Sequence, residues 1–381
     1  MALRVRTIVE QKLSAVKLVE AGVALSEIAE RFGVSRQSIY DWQARYREDP
    51  VGGLEQRSRR PLSSPTRTPE WIEQRLIEER LKWQFGAKKI LRRLQDEEPE
   101  VAWPPRLTID AIFKRRGLVC AHRKPRRRFA PVTARQSFAG ATAGEVMTAD
   151  FKGEFRLRNG LYCYPFTVAD PVSRYLLACD AFERISLEQT WASLTRVFRE
   201  YGMPTALHSD NGIPFGTSGH GRFSTLSVRL MKYGIQPTYN RPGHPQDNGR
   251  HERMHKTMVD RVTVFPAVNH AAQQVLFDDF RQMFNHDRPH ESLSQDRPAH
   301  HHRASPRIFP STEPRIEYEP HFETQLVDPH GRIYWRGERI FFSEAFSNER
   351  IAFERVDYES WRVHYASFVI GRFGDAPTPL V

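Results

Sequence analysis

Three acidic residues are the best candidates for chemistry in this sequence. Asp150 ends one predicted strand, Asp210 ends another, and Glu252 lies in the first turns of a predicted helix. Carboxylates are the hard oxygen ligands that Mg²⁺ or Mn²⁺ prefers. If the two strands are neighbours, the aspartates project from one sheet end, and a glutamate from a packed helix completes a second metal position. The pattern therefore predicts two ions per active site, an arrangement suited to in-line displacement at a phosphate.

Each of these acids also has a purely structural explanation. Asp150 can simply end a strand, Asp210 can open an Asp-Asn-Gly turn, and Glu252 can be a surface charge on its helix. The prediction therefore depends on the three acting in combination, and on the elements that position them.

The segment after Gly144 is β-rich and interleaved with helices. Three hairpin-linked strands followed by alternating helix and strand predict a mixed α/β sheet. The predicted strands are Val146–Phe151, Tyr162–Ala169, Arg174–Cys179, Ala206–Ser209 and Ile235–Tyr239. The predicted helices run from Ser186 to Tyr201, from Phe223 to Tyr233, and onward from near Asp247.

The N-terminal segment predicts a helix-turn-helix. Apolar residues recur at helical spacing, and two short helices are separated at Gly33-Val34, with Ser35 placed to cap the second. The predicted shared core is Ile28, Ala29, Phe32, Ile39 and Trp42. The first turn of the second helix, where recognition helices meet base edges, holds Arg36, Gln37 and Ser38. A three-helix bundle without a DNA role is the alternative.

A second helical unit follows a linker rich in Pro, Ser, Gly and Arg. Its helices are predicted to open at Thr68-Pro69, to run from Lys88 to Leu94, and to be capped by Thr108, which again indicates a helix-turn-helix. A run of eight basic residues without an acid ends this unit: Lys114, Arg115, Arg116, Arg123, Lys124, Arg126, Arg127 and Arg128. Such a run can neutralise phosphates without reading sequence, and a solvated arm fits it equally well.

The excess positive charge of the chain is concentrated at its N-terminal end. Residues 1–135 hold 29 Lys and Arg against 17 Asp and Glu, whereas the remainder holds 28 against 29. This asymmetry indicates a polyanion-binding region attached to a more neutral body.

Several classes of protein are not supported by the sequence. No apolar run reaches the roughly 20 residues needed to span a bilayer, and we expect no membrane partner. Cys120, Cys163 and Cys179 lack paired spacing, so neither a disulfide framework nor a zinc site is predicted. We therefore expect a cytoplasmic protein. A Gly-rich loop ending in Gly-Lys-Ser or Gly-Lys-Thr is also missing from the sequence.

The C-terminal part predicts a separate β module. A connector rich in Pro, His and Arg, whose triple histidine His300 to His302 we interpret as a solvated loop, precedes five short alternating segments that predict a small β-barrel. The predicted domains are a helix-turn-helix at 1–49, a linker at 50–69, a second helix-turn-helix with its basic arm at 70–135, a catalytic core at 136–300, a linker at 301–324 and the barrel at 325–373.

Three motifs resemble those of insertion-sequence DDE transposases related to retroviral integrases. They are MTADFKGEF from Met147, HSDNG from His208, and RPGHPQDNGRHERMHKT from Arg241 to Thr257, joined by RPHESL from Arg288. The resemblance covers nearly the whole chain. It implies an RNase H-like core in which a metal-activated water cuts a strand at the element's end and the freed 3′ hydroxyl attacks target DNA.

The same resemblance implies partners and further site residues. It matches Asp150, Asp210 and Glu252 to the metal-binding acids, and Lys256 to a basic residue that holds the DNA end, while His251 and His255 stay unassigned. Double-stranded DNA, as element ends and target, and a homo-oligomer on that DNA are the expected partners.

The spacing of the acids departs from the family pattern. The intervals are 60 and 42 residues, and the second is several residues longer than is usual, which we attribute to a loop insertion at Gly216 to Arg222. A DNA-binding transcription regulator, an inactivated transposase relative and a plain nuclease with the same metal site remain as alternatives.

Overall fold

The computed structural model describes residues 8–55, 67–119, 141–216, 223–240, 249–357 and 360–374. The chain divides into two compact units, Met1–Pro69 and Glu70–Val381. Among the described residues, the longest apolar helices fall short of what is needed to cross a membrane.

The N-terminal unit contains three helices: α1 (Ile8–Glu20), α2 (Leu25–Phe32) and α3 (Arg36–Glu48). Ile28 and Ile39 are fully buried between them, as the sequence predicts. Gly33 ends α2 in the left-handed conformation, with φ of 65°, which glycine adopts without a steric penalty. The hydroxyl of Ser35 accepts a hydrogen bond from the backbone N–H of Ser38, so its predicted role as the cap of α3 is confirmed.

The second unit begins with three further helices: α4 (Glu70–Trp83), α5 (Ala87–Glu97) and α6 (Arg106–Arg115). Leu76, Ile90 and Ile109 are fully buried in their common core. The prediction that Thr108 caps the third helix is wrong. Pro105 takes the N-cap position in an extended conformation, so that the helix begins two residues before Thr108.

A mixed sheet lies at the centre of this unit and confirms the predicted α/β architecture. Its strands are β1 (Val146–Phe151), β2 (Phe155–Arg156), β3 (Tyr162–Ala169), β4 (Leu176–Phe182), β5 (Ala206–Ser209) and β6 (Gln236–Tyr239). The main order is β4–β3–β1–β5–β6, and β2 pairs with the start of β3. β1 is antiparallel to β3, which is antiparallel to β4, whereas β5 runs parallel to both β1 and β6.

Helices cover both faces of this sheet. They are α7 (Leu187–Tyr201), α8 (Thr225–Lys232), α9 (Gly249–Met258), α10 (His270–Gln282) and the short α11 (Pro298–His301). Met147 and Leu207 pack with α7 and α8 on one face, whereas Leu176 and Cys179 pack with α9 and α10 on the other. β4 starts two residues later than predicted because Arg174 has a φ of 66° in the preceding turn.

The C-terminal β module is not the closed barrel that the sequence predicts. Its strands are β7 (Glu323–Leu326), β8 (Arg332–Trp335), β9 (Glu338–Phe341), β10 (Arg350–Arg355), β11 (Ser360–Tyr365) and β12 (Phe368–Gly374). Four of them form a sheet in the order β12–β11–β10–β7, and β8 and β9 form a separate hairpin. Because β7 and β12 remain edge strands among the described residues, the sheet does not close. The module packs on α8 through Val228 and Met231.

The triple histidine is more structured than a solvated loop. The rings of His300 and His301 lie 2.7 and 3.0 Å from the carboxylate of Asp296. His302 stacks on Tyr175 with ring centroids 4.3 Å apart. The stacking on Tyr175 ties the connector to the mixed sheet, since Tyr175 directly precedes β4.

Candidate active site

The parallel strands β1 and β5 bring Asp150 and Asp210 to the same end of the sheet. β1 and β5 are parallel neighbours, and their register pairs Thr148 with His208. Asp150 lies near the end of β1 and Asp210 directly follows β5, so both lie at the end of the sheet toward which these two strands run. Because side chains alternate along a strand, the Asp150 carboxylate faces away from the core formed by Met147 and its neighbours, toward the face that α9 covers.

The turn after β5 fixes the Asp210 carboxylate. Its Oδ1 accepts a hydrogen bond from the N–H of Gly212 at 3.1 Å. A Cβ placed at Gly212 would lie 3.1 Å from Asp210 Oδ2, so a larger residue would crowd the carboxylate. Asn211 donates to the carbonyl of Asn240 at 3.0 Å, which ties the turn to the end of β6.

A buried hydroxyl joins the strand of Asp150 to α9. Thr167 on β3 pairs with Asp150 in the register, and its Oγ1 donates to the Asp150 carbonyl at 3.1 Å. The same oxygen lies 2.7 Å from His251 Nε2 and 2.8 Å from His255 Nε2. Thr148 Oγ1 lies 3.1 Å from the other nitrogen of His251. The helix that carries Glu252 is therefore held by hydrogen bonds to β1 and β3.

Both imidazoles are neutral in this environment. Burial, with His255 and His208 nearby, lowers the pKa of His251 well below its usual range. Burial and the charge of Lys152 lower the pKa of His255 to about 3. Since the Thr167 hydroxyl donates to a carbonyl, the two Nε2 atoms act as donors toward it, which leaves His255 Nδ1 as an acceptor.

That acceptor faces a carboxylate. His255 Nδ1 lies 3.8 Å from Asp150 Oδ2. Among the described residues, Asp150, His251 and His255 also form a group whose possible metal-binding atoms all lie within 4.8 Å of one another. Since both His251 nitrogens face threonine hydroxyls, Asp150 and His255 are the members of this group best placed to contact a cation.

Glu252 lies on the outer side of the same helix. Its neighbour His251 is buried, whereas Glu252 and Lys256 are exposed, four residues apart and on one helix face. Within the described part of the chain, neither Asp210 nor Glu252 belongs to the tight group around Asp150. The structure thus places the two aspartates at one end of the sheet and holds the glutamate helix against β1 and β3.

The residues expected to bind DNA have mixed environments. Arg36 and Gln37 are exposed on the first turn of α3, and Gln37 donates to Asp41 at 3.0 Å. The hydroxyl of Ser38 lies 3.0 Å from that of Ser35, so Ser38 takes part in the cap. Lys256 is exposed on α9.

Part of the predicted basic arm has a structural role. Lys114, Arg115 and Arg116 are exposed at the end of α6. However, Arg115 and Arg116 donate to the buried carboxylate of Glu73 at 2.5 and 3.1 Å. Burial raises the pKa of Glu73, but these hydrogen bonds outweigh it and lower the pKa overall. The other members of the arm, Arg123, Lys124, Arg126, Arg127 and Arg128, lie outside the described residues.

Sequence reasoning left the threonines and histidines of this site without a role. The two histidines are four residues apart around Glu252, a spacing that puts them on one helix face. That spacing was the available signal. Their partners, Thr148 and Thr167, lie on strands 84 to 103 residues away and carry no motif.

Comparison with known proteins identifies two domains. Residues 141–245 and 233–298 match two families described as integrase core domain. Residues 11–61 match a helix-turn-helix domain.

Several solved structures are also similar. The HTLV-2 integrase catalytic core domain in complex with magnesium is 13% identical, covers 43% of this chain and 99% of its own, and has a TM-score of 0.32. The BIV integrase catalytic core domain is 17% identical, with 41% and 92% coverage and a TM-score of 0.31. A chain of the simian T-cell lymphotropic virus intasome in complex with the PP2A regulatory subunit B56 gamma is 14% identical, with 63% and 80% coverage and a TM-score of 0.32.

The chain thus carries an integrase core domain over residues 141–298, built on a mixed sheet of the RNase H-like type. Together with the helix-turn-helix domain ahead of it, this core supports the polynucleotidyl transferase activity of a DDE transposase or integrase. Dependence on a divalent metal ion accompanies this chemistry.

Proposed function

We propose that this enzyme cleaves DNA at the ends of its element and transfers the freed strand into target DNA, using Asp150, Asp210 and Glu252 as metal ligands. The observation that supports the proposal is the parallel pairing of β1 and β5, which brings Asp150 and Asp210 to the same end of the sheet. The helix bearing Glu252 is hydrogen-bonded to β1 and to its antiparallel neighbour β3.

The residues at this sheet end suit a divalent cation. Two neighbouring carboxylates supply hard oxygen donors of the kind that Mg²⁺ and Mn²⁺ bind. Asp150 Oδ2 and His255 Nδ1, both acceptors, face each other at 3.8 Å, a spacing that a cation between them would relieve. We propose two ions per site, with Mg²⁺ or Mn²⁺ as the metal. When bound, the metal favours deprotonation of the attacking hydroxyl and stabilises charge on the leaving oxygen.

The chain's own residues orient the reacting groups. Asp150 and Asp210 are held by the sheet and by the Gly212 N–H, so they need little rearrangement. Glu252 approaches from α9 as the third carboxylate. We propose that Lys256, exposed one turn further along, contacts a phosphate near the cleaved bond.

We further propose how DNA is bound and assembled. The N-terminal helix-turn-helix reads the element ends through Arg36 and Gln37, while Ser38 completes the cap. Lys114 and the basic residues that follow it contact phosphates. Joining two ends to one target requires at least two active sites, so we propose a homo-oligomer on DNA.

The test of the metal ligands uses three conservative variants of the full chain. Asp150→Asn, Asp210→Asn and Glu252→Gln should each reduce Mg²⁺-dependent cleavage of an end-containing duplex by at least about 1,000-fold, because a charged metal ligand is lost. Duplex binding should remain within about threefold, and Mn²⁺ binding measured by calorimetry should weaken. Asp279→Asn, which removes an exposed carboxylate on α10, is the matched control and should change none of these.

Two outcomes would contradict the proposal. Metal-dependent cleavage retained by any of the three variants would remove that residue from the site. Duplex binding by the wild-type protein with no cleavage or joining in Mg²⁺ or Mn²⁺ would instead indicate a DNA-binding regulator.

A further inference from the structure

A cationic cavity lies beside the active-site helix, at the junction of α5 with the end of α9. It encloses about 270 Å³. Its lining includes Phe85, Gly86, Lys89, Thr257, Arg261 and Arg288. Three segments of the second compact unit therefore meet here: the turn before α5, the chain that continues α9, and the RPHESL segment.

Three cationic side chains surround one aromatic ring in this cavity. The charged groups of Lys89, Arg261 and Arg288 lie 5.7, 4.8 and 5.6 Å from the ring centroid of Phe85. Each distance is within the range of a cation–π contact. The Phe85 ring attracts the three cations but carries no charge that would neutralise them.

The positive charges of the cavity have few counterions within the described residues. None of Lys89, Arg261 and Arg288 forms an ion pair with a described carboxylate. Asp260 lines the cavity without approaching any of them to ion-pair distance, and Glu291 pairs with Lys88 at 2.9 Å. Arg261 donates to the carbonyl of Trp83. The cavity therefore concentrates positive charge, which a bound anion would neutralise.

The electrostatics of the cavity agree with its geometry. Burial, followed by the charges of Arg288 and Arg261, lowers the pKa of Lys89 to about 7. Burial and Arg261 lower the pKa of Arg288 to about 10. Gly86 caps α5 without a side chain, so the first N–H groups of that helix add positive potential.

We propose that this cavity binds a backbone phosphate of the DNA strand that enters the active site. The inference rests on the proposed function, which requires DNA along α9. From Glu252 to Arg261 the chain rises about 14 Å at 1.5 Å per residue. At roughly 3.4 Å per phosphate along one strand, this corresponds to about four nucleotides from the cleavage site. The cavity would fix the strand, whereas the acidic residues carry out the chemistry.

The test measures duplex binding by the full chain, in EDTA, over a range of salt concentrations. Lys89→Gln and Arg288→Gln should each weaken binding about three- to tenfold at 0.1 M salt. Each should also lower the slope of log affinity against log salt by about one, the change expected for one lost phosphate contact. Lys89→Arg, which keeps the charge, should retain most of the affinity.

Thermal stability separates a binding role from a structural one. Because Lys89→Gln relieves repulsion among crowded cations, it should leave the melting temperature unchanged or raise it, while binding falls. Arg196→Gln is the control, since it removes one positive charge from α7 on the opposite face of the sheet, where Arg196 pairs with Asp180 at 2.8 Å. Its salt slope should match that of the wild type.

Each remaining outcome has a definite meaning. Wild-type affinity and slope in both cavity variants would overturn the cavity proposal while leaving the catalytic one intact. A parallel loss of stability and binding in Lys89→Gln would assign the residue a structural role instead. Inorganic phosphate could stabilise the wild type but not Lys89→Gln, while the slope of log DNA affinity against log salt is the same in both proteins. That result would indicate a site for a free anion. Failure of the wild type to bind duplex DNA would overturn both proposals.

Discussion

The Thr167 hydroxyl connects two parts of the site that are far apart in sequence. It donates to the backbone of Asp150 and accepts from His251 and His255 on either side of Glu252. Burying a polar group costs little free energy only while its hydrogen-bond partners are present. Together with the Thr148 hydroxyl, which contacts His251 directly, this oxygen atom positions the glutamate helix relative to the aspartate strand.

Replacing this hydroxyl should disturb both stability and catalysis. Thr167→Val keeps the shape of the side chain but leaves two buried imidazole N–H groups without their acceptor, which should cost about 1–3 kcal/mol in the free energy of unfolding. In the cleavage reaction kcat should fall by a larger factor than KM changes, because Glu252 is displaced. Thr167→Ser restores the hydroxyl and should recover most of both properties in urea unfolding and cleavage assays. Equal behaviour of the two variants would show that the hydroxyl has no positioning role.

His290 provides a test of the electrostatics beside the cationic cavity. Burial, with the charges of Lys89, Arg288 and Arg174, lowers its pKa to about 3. In the unfolded chain the imidazole has a pKa near 6.5, so below that pH the unfolded state binds a proton that the folded state does not. Stability should therefore fall as the pH falls from about 6.5 toward 3, by up to about 1.4 kcal/mol per pH unit from this group.

The contribution of His290 can be isolated by difference. The free energy of unfolding of the wild type and of His290→Gln should be measured by urea unfolding and plotted against pH. The two plots should converge as the pH is lowered from 6.5 to 4.5, because the variant lacks the titrating group. Parallel curves over that interval would mean that His290 gains its proton in the folded state as readily as in the unfolded one.

At the scale of elements, the local sequence pattern predicted the bounds of the strands well but predicted only in part which strands pair with each other. β1, β3 and β5 begin and end where the sequence predicts, since apolar runs bounded by turn residues define a strand locally. The prediction of a barrel was wrong because the alternation of apolar and polar residues shows which residues form strands but not which strands pair. Likewise, the motifs located Asp150, Asp210 and Glu252, but no local signal links Thr167 to a helix more than 80 residues later.

The cap of α3 should control the order of the recognition helix. Ser35→Ala removes the acceptor for the Ser38 N–H and should cost about 1 kcal/mol in helix stability. Hydrogen exchange of the amides in Arg36–Glu48 should become about fivefold faster, and DNA affinity should fall with it. Ser26→Ala replaces an exposed serine within α2 and should not accelerate exchange, because alanine favours the helix. Unchanged protection in Ser35→Ala would mean that packing alone fixes the start of α3.

At the scale of the whole molecule, an ion-pair network joins the second helical module to the catalytic domain. Arg93 on α5 is only 4% exposed. Its guanidinium lies 2.6 Å from Glu97 and 3.2 Å from Asp287, which follows α10 in the catalytic domain, and it also donates to the Asp287 carbonyl at 2.8 Å. It stacks over Trp83 at 4.2 Å. The module is therefore fixed to the catalytic domain by a buried charge with several partners.

Removing that charge should loosen the junction. Arg93→Ala leaves the partly buried carboxylates of Glu97 and Asp287 without this partner and should reduce the free energy of unfolding by about 3 kcal/mol or more, as expected when one member of a buried ion pair is lost. Calorimetry should then show the module melting before the catalytic domain. Arg92→Ala is next in sequence, but Arg92 is half-exposed and, among the described residues, pairs only with Asp96, so its loss should cost less than about 1 kcal/mol. Similar losses in the two variants would mean that the network adds no more than a surface ion pair, and that apolar packing holds the module in place.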